Sequence, residues 1–498
     1  MMQRYDAIII GSGLGGLACG ATLSREGMKV CVLERHGVLG GCLQSFRRQG
    51  RVLDTGMHYV GSMAPGQILH QYFKYYGIVD RLRLEPLNPE AFDRIHFGGE
   101  SYDYACGYER FAERLTERFP AERTAIEAYC RLLRRVGTTI SPDILRAGHL
   151  SADGSEYMGL SAFASIAECT RNPELRRVLA GTTGLHSRDR DRTSLYEHAM
   201  IQHSYIESAW RFVSGTQHVA DALVETIRRH GGEVLPGTEA TRLGLDGRKI
   251  GYVEVNGADR LTGRYVVSTI HPAQTLALLD GPGPIRPAFI RHIRALRNSY
   301  GAFTVYLLMK PGCCPYADSN YYLHTDGSDG WSMRQHFRGY NFPVMAMFMQ
   351  PDPTRKYAEV ITLLVPVSPD DMARWTNTTV GHRGEDYTAW KERYAQASID
   401  FAAQYFPALR SQIEAVHTAS PLTYRDYTAT PDGSAYGIVK DYRNPLSTHL
   451  SVRTRIENLL LTGQNINVHG ALGVCVSAAA TCSVLLGEEY LTKKIGNE

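Results

Sequence analysis

Near the start of the chain, Gly11-Ser12-Gly13-Leu14-Gly15-Gly16 sets glycines at the first, third and sixth positions of a turn. That spacing suits a phosphate cradle. Gly11 permits the tight turn, Gly13 lets the backbone approach a pyrophosphate, and Gly16 lets the following helix pack closely on its strand. The helix start then offers free N–H groups and a partial positive charge to the phosphates. Glu34 follows at the distance where an acidic side chain accepts from the adenosine ribose hydroxyls. Its charge opposes a 2′-phosphate, so the expected ligand is FAD or NAD rather than NADP.

Such a cradle works only between a strand and a helix, and the flanking sequence supplies both. Residues 5–10 form a short apolar run, residues 17–27 read as a helix ended by a glycine, and residues 29–33 form a second apolar run ending at Glu34. Strand, helix and strand within about 30 residues make the βαβ unit of a doubly wound sheet. From 67 to 206 the pattern is helical, as at Phe111, Leu115 and Phe119. A helix over 219–229, a hairpin-like stretch at 231–234 and a strand over 265–269 read as a second instalment of the nucleotide-binding domain. Residues 285–440 alternate strands (303–308, 360–365) with an amphipathic helix over 387–406, and the end returns to the first domain with a strand at 459–461 and a small-residue helix from 472 to 486.

Bulk properties exclude several function classes. The 498 residues exceed a typical single core, and 43% apolar with 21% charged residues is an ordinary globular composition. A net charge of +3 without basic runs gives no reason to expect nucleic acid. The 10 cysteines lack metal-ligand spacing, so no metal site is expected; the adjacent Cys313-Cys314 read as core residues, and reduced thiols fit a cytoplasmic setting. With the first strand beginning around Tyr5, no secretory leader is expected, and no apolar run reaches about 18 residues, the length of a bilayer-spanning helix. Peripheral contact with a membrane surface stays open.

Beyond Glu34 come Gly40-Gly41-Cys42, Ser45-Phe46 and Asp54-Thr55-Gly56-Met57-His58-Tyr59. Further on stand Trp210 to Gln217 ahead of Gly231-Gly232, Asp432-Gly433-Ser434-Ala435-Tyr436-Gly437, and Leu461-Thr462-Gly463-Gln464-Asn465-Ile466-Asn467-Val468-His469-Gly470 with Gly473. In these segments, spread over nearly the whole chain, the sequence resembles the phytoene desaturase, carotenoid isomerase and retinol saturase group of FAD-dependent oxidoreductases, closest to the retinol saturase-like branch. The resemblance implies an α/β fold of the amine-oxidase/phytoene-desaturase type. Its discontinuous Rossmann-type FAD-binding domain would comprise 1–75, 210–280 and 445–498, with a helical insertion over 76–209 and an α+β substrate domain over 281–444. It implies FAD as cofactor, held by Gly11, Ser12, Gly13, Leu14, Gly15, Gly16, Glu34, Arg35, Gly40, Gly41, Cys42, Ser45, Gly56, Met57, His58, Ala240, Ser268, Gly463, Gln464, Gly473 and Val474. Desaturases of the group carry Arg where this chain has Cys42, which moves weight toward saturation or isomerisation of C=C bonds in a long apolar polyene. Desaturation is the alternative. An amine oxidase or a non-catalytic prenyl-binding protein of the same fold stands behind both.

The resemblance also brings His58 and His469 near the flavin ring, where an imidazole could move a proton. Each could equally be a hydrogen-bonded structural histidine. Tyr59 and Tyr436 could line the substrate path or donate protons, although 29 tyrosines make packing the commoner role. The Met-rich segment 342–349 suits either an adaptable wall for an apolar ligand or a core strand, and reads first as core. No second dinucleotide fingerprint is present, so the electron donor or acceptor stays open.

Overall fold

The structure, a computed structural model, describes residues 4–498 apart from Pro282 and Gln335. Strand β1 (Arg4–Ile10), helix α1 (Leu14–Arg25) and strand β2 (Val30–Leu33) open the chain. They are followed by a hairpin of β3 (Ser45–Arg48) and β4 (Arg51–Asp54) and a second hairpin of β5 (Asp93–Phe97) and β6 (Glu100–Tyr104). Helices α2 (Arg123–Gly137), α3 (Leu195–Glu207) and α4 (Gln217–Arg229) precede β7 (Glu233–Leu235), β8 (Ala240–Asp246), β9 (Lys249–Val255) and β10 (Asp259–Ser268). After α5 (Pro287–Ala295) come β11 (Gly301–Met309), β12 (Asn320–His324), β13 (Met345–Pro351), β14 (Ala358–Val367), α6 (Glu385–Tyr405) and β15 (Ile413–Ala419). Strand β16 (Leu459–Leu461) and helix α7 (Gly470–Leu486) close the first layer.

The first sheet has the order β7-β2-β1-β10-β9-β8. Its centre is parallel: Ile8 lies beside Cys31 on one side and Val266 on the other. Buried on both faces, these strands read as unbroken apolar runs. Strand β10 changes partner along its length, pairing antiparallel with β9 through Asp259 to Leu261 and parallel with β16 through Val266 to Ser268. Residues 231–234, expected as a hairpin, instead lead into β7, which pairs parallel with β2. The glycines serve the end of α4, and the strand that follows joins an existing edge. Helix α1 lies close to its neighbours because its inward residues are small: a Cβ on Gly20 would come within 2.8 Å of Ile227 on α4.

The second sheet runs β15-β11-β14-β13-β12-β5-β6. Strands β5 and β6 come from the stretch expected to be a helical insertion, and β5 pairs parallel with β12, setting Asp93 opposite Asn320. The hairpin alternates, with Ile95, Phe97, Tyr102 and Tyr104 buried, but it is too short to outweigh the helical text around it. Strand β13 serves two cores. Met345, Met347 and Met349 face the one shared with α6, whereas Ala346 and Phe348 face the other way, as the two-residue strand period requires. Of the adjacent cysteines only Cys314 is buried; Cys313 is exposed. Among the described residues no helix is long and apolar enough to cross a membrane.

Candidate active site

The glycine turn between β1 and α1 has the division of labour its spacing predicts. Gly11 sits at φ +98°, open to glycine alone at low cost. A Cβ on Gly16 would fall 2.0 Å from the carbonyl oxygen of Gly11, so this glycine closes the helix onto the turn. A Cβ on Gly13 would meet nothing within 4 Å, because Gly13 borders a cavity. No side chain caps the start of α1, leaving its first N–H groups free for an anion.

Glu34 is fixed at the end of β2. Its Oε2 accepts from the N–H and hydroxyl of Ser12 at 3.1 and 2.7 Å, and its Oε1 accepts from the N–H of His36 at 3.0 Å. The Ser12 hydroxyl also accepts from the N–H of Gly40 at 3.1 Å, so the phosphate turn, the ribose-side acid and the double glycine form one bonded unit. The cavity of 620 Å³ continues from Glu34, Arg35 and Thr238 to Ala240, past Gly13, Gly15, Gly40, Gly41 and Cys42, to Gly56, Met57, Gly463, Gln464, Gly473 and Val474. Its far end meets the start of α7, which no side chain caps either. One elongated groove with an acid at one end, an open backbone at the middle and a second helix start at the other fits FAD. The Cys42 thiol is exposed to the groove, and desolvation by the protein around the groove pushes it up to about 11.

Three residues expected to touch the cofactor do not line the cavity: Gly16, Ser45 and Ser268. Gly16 acts through packing. Ser45 Oγ donates to Asp54 Oδ1 at 2.8 Å and accepts from the N–H of Thr216 at 2.9 Å, tying the β3–β4 hairpin to the start of α4. Ser268 is buried beneath the strand end, its hydroxyl 2.7 Å from that of Thr275; Thr269 lines the cavity in its place.

From the groove the cavity widens between the second sheet and α3. Tyr322, Ala346, Phe348 and Leu364 form one wall, and Tyr196, Met200 and Ile201 the other. The only Asp, Glu, Lys or Arg side chains lining the whole cavity, among the described residues, are Glu34, Arg35 and Glu239, all at the ribose end. The wide end is apolar and aromatic with no charged wall.

The four expected acid-base residues all reach the cavity, but in two different states. His469 Nε2 donates to the carbonyl of Leu185 at 2.7 Å, its Nδ1 lies 3.5 Å from Glu197, and its ring stacks on Tyr436 at 4.0 Å. Tyr436 donates to the carbonyl of Gly184 at 3.0 Å, and burial pushes its phenol up to about 12. Both are committed to backbone acceptors. His58 is different: it stacks on Phe348 at 4.5 Å, its Nε2 is buried without a partner, and burial with the nearby Arg211 charge holds it down at about 4, hence neutral. Tyr59 donates to Asp93 Oδ2 at 2.9 Å and lies 2.7 Å from the Tyr322 hydroxyl. Asp93 and Tyr322 carry no sequence signal, since they lie in short strands with other polar residues and are brought to the same Tyr59 hydroxyl only because β5 pairs with β12.

The sequence model of one family, described as flavin containing amine oxidoreductase, matches residues 14–481. The chain is similar to all-trans-retinol 13,14-reductase of Danio rerio, 27% identical, covering 99% of this chain and 89% of that one. It is also similar to phytoene desaturase of Cercospora nicotianae, 27% identical over 53% of this chain and 45% of that one. Cyclohexylamine oxidase of Brevibacterium oxydans has the same fold, with a TM-score of 0.60 at 16% identity over 97% of this chain and 99% of that one.

Proposed function

Because the chain belongs to the flavin containing amine oxidoreductase family, with FAD as its cofactor, we propose that it reduces or rearranges C=C bonds in a long apolar polyene, saturation or isomerisation being its direction. The observation that carries this reading is the uncharged wide end of the cavity. An ammonium substrate entering there would meet no carboxylate, and an isolated charge in such surroundings is strongly disfavoured. A conjugated hydrocarbon chain would lose water against Tyr322, Phe348, Leu364 and Met200 at about 25 cal/mol per Å² of apolar surface. The identity of the retinol 13,14-reductase relative agrees with a polyene substrate.

FAD, when bound, supplies two-electron chemistry at its ring. The protein's own part is to hold and enclose. Gly13, Gly41 and the start of α1 would receive the pyrophosphate, and Glu34 the ribose. The uncapped start of α7 would stabilise negative charge on the pyrimidine side of the ring. Phe348 and His58, stacked on one another, would set the face against which the polyene lies. The deciding experiment expresses the chain in cells that make defined carotenoids or retinoids and identifies products by mass and geometry. A polyene gaining two hydrogens or changing isomer is expected; unchanged profiles with every polyene overturn the reading.

A surface feature supports contact with a lipid surface. Helix α5 exposes Phe289, and Leu446 on the short helix Pro445–Thr448 is 96% exposed; the two helices touch through His292 and the carbonyl of Ser447. Arg286, Arg291 and Arg294 of this region enter none of the ion pairs among the described residues. Bare apolar side chains among free arginines are the composition of an anionic-membrane contact. The same segment continues to His449, edge-on to the cavity residue Tyr196.

A further inference from the structure

Asp93 is buried at the start of β5, behind the cavity wall and outside the cofactor groove. Its Oδ2 accepts from Tyr59 at 2.9 Å and its Oδ1 from Asn320 Nδ2 at 2.9 Å. Asn320 in turn accepts from Arg211 at 2.7 Å, so the guanidinium reaches the carboxyl through an amide and forms no direct ion pair with it. The two remaining members, Tyr59 and Tyr322, both line the cavity with hydroxyls 2.7 Å apart.

The direction of these hydrogen bonds depends on one proton. When Asp93 is a carboxylate it can only accept, so Tyr59 must donate to it and Tyr322 must donate to Tyr59. Both phenolic protons then point away from the cavity. When Asp93 carries a proton it can donate to Tyr59, Tyr59 can donate to Tyr322, and the hydrogen of Tyr322 is released toward the cavity. A buried chain with two such arrangements is a switchable donor.

We propose that Asp93, Tyr59 and Tyr322 form a proton relay in which Tyr322 delivers a proton to a carbon of the bound polyene and Asp93 resupplies it. The inference rests on the saturation reading above. In the step, the O–H bond of Tyr322 breaks as a C–H bond forms at one carbon of the C=C. Tyr322 takes the proton of Tyr59, and Tyr59 takes that of Asp93, which ends as a carboxylate. The second C–H bond takes its electron pair from reduced flavin. Tyr322 is the catalytic member of the relay; Asp93 is a positioning and reservoir residue acting through Tyr59.

The groups facing Asp93 are consistent with storage. Tyr59, Tyr322 and Tyr205 stand on the cavity side, Tyr104 is buried away from it, and Arg211 and Cys106 approach from neighbouring elements. Arg211 is the sole cation among them. Desolvation outweighs its pull and the hydrogen bonds from Asn320 and Tyr59, raising the Asp93 carboxyl to about 7.

The test uses FAD-loaded wild-type protein with the Asp93→Asn and Tyr322→Phe variants. Infrared difference spectra taken without substrate are expected to show a protonated carboxyl band in the wild type that fades as pH rises through about 7 and is missing from Asp93→Asn. Turnover of the polyene is expected to fall about 100-fold in each variant, the usual worth of general acid catalysis, with KM unchanged. Asp93→Asn should also lose the fall in turnover that the wild type shows above that pH. A band that persists in Asp93→Asn, or wild-type turnover in either FAD-loaded variant, overturns the relay alone. Wild-type protein that converts no polyene overturns the functional reading and the delivery step with it.

Discussion

The α-carbon of Gly16 stands so close to the carbonyl of Gly11 that an added methyl carbon would sit 2.0 Å from that oxygen, whereas the same addition at Gly13 meets nothing within 4 Å. Two glycines of one motif therefore answer to different demands. Gly16→Ala is expected to destabilise the fold by about 1–3 kcal/mol, the usual cost of overpacking. Gly13→Ala should melt like the wild type but hold FAD at least ~10-fold more weakly, about 1.4 kcal/mol. Thermal melting of the apoproteins beside flavin titration separates the two; equal losses in both assays for both variants would refute the division.

Glu34 accepts three hydrogen bonds from the turn and its own strand end. Glu34→Gln keeps the shape but loses the charge-assisted bonds, each worth about twice a neutral one. FAD affinity should drop roughly 10-fold. Flavin titration by fluorescence quenching checks this, and unchanged affinity would remove Glu34 from the ribose site.

The exposed face around α5 and Leu446 predicts binding to vesicles containing anionic lipid, weakened by salt. Replacing Arg286, Arg291 and Arg294 together by Gln should cost about 1 kcal/mol per arginine, and Leu446→Ser should weaken binding further without changing FAD content. Co-sedimentation with neutral and anionic vesicles reads this out. Equal binding to both, or none to either, would set the membrane reading aside.

Asp93 also leaves a mark on stability. Its folded-state carboxyl sits at about 7, above the ordinary value near 3.8, so between those values the native state holds a proton the unfolded chain releases. Stability from this group is full below the lower value and is lost as pH rises through the upper one, by a few kcal/mol at most. His58, held down at about 4, acts in the opposite sense: it penalises the fold as pH drops from about 6.5 toward 4. Denaturant melts from pH 4 to 8 should show Asp93→Asn flattening the decline at the neutral end, and an unchanged slope would contradict the carboxyl's assignment.

What the sequence made legible is what a backbone cannot disguise. Gly11, Gly13 and Gly16 are demanded by φ, by open space and by close approach, and Glu34 follows from strand length. Ser45 and Ser268 sit behind the cavity lining, because which strand-end hydroxyl faces a groove and which bonds inward to Asp54 or Thr275 is decided by tertiary neighbours that the local sequence does not name. Asp93, Asn320 and Tyr322 escaped notice because their meaning arises from the pairing of β5 with β12, across 227 residues between Asp93 and Asn320. The 93–104 hairpin was submerged in helical sequence on either side. The Met-rich strand read as either wall or core, and β13 turned out to be both.

That double duty has an evolutionary reading. Along β13, positions 345, 347 and 349 are held by the methionine core while 346 and 348 border the cavity. A substitution at Ala346 or Phe348 can reshape what the cavity accepts without disturbing the layer behind it, so descendants of this chain can change diet while keeping their skeleton.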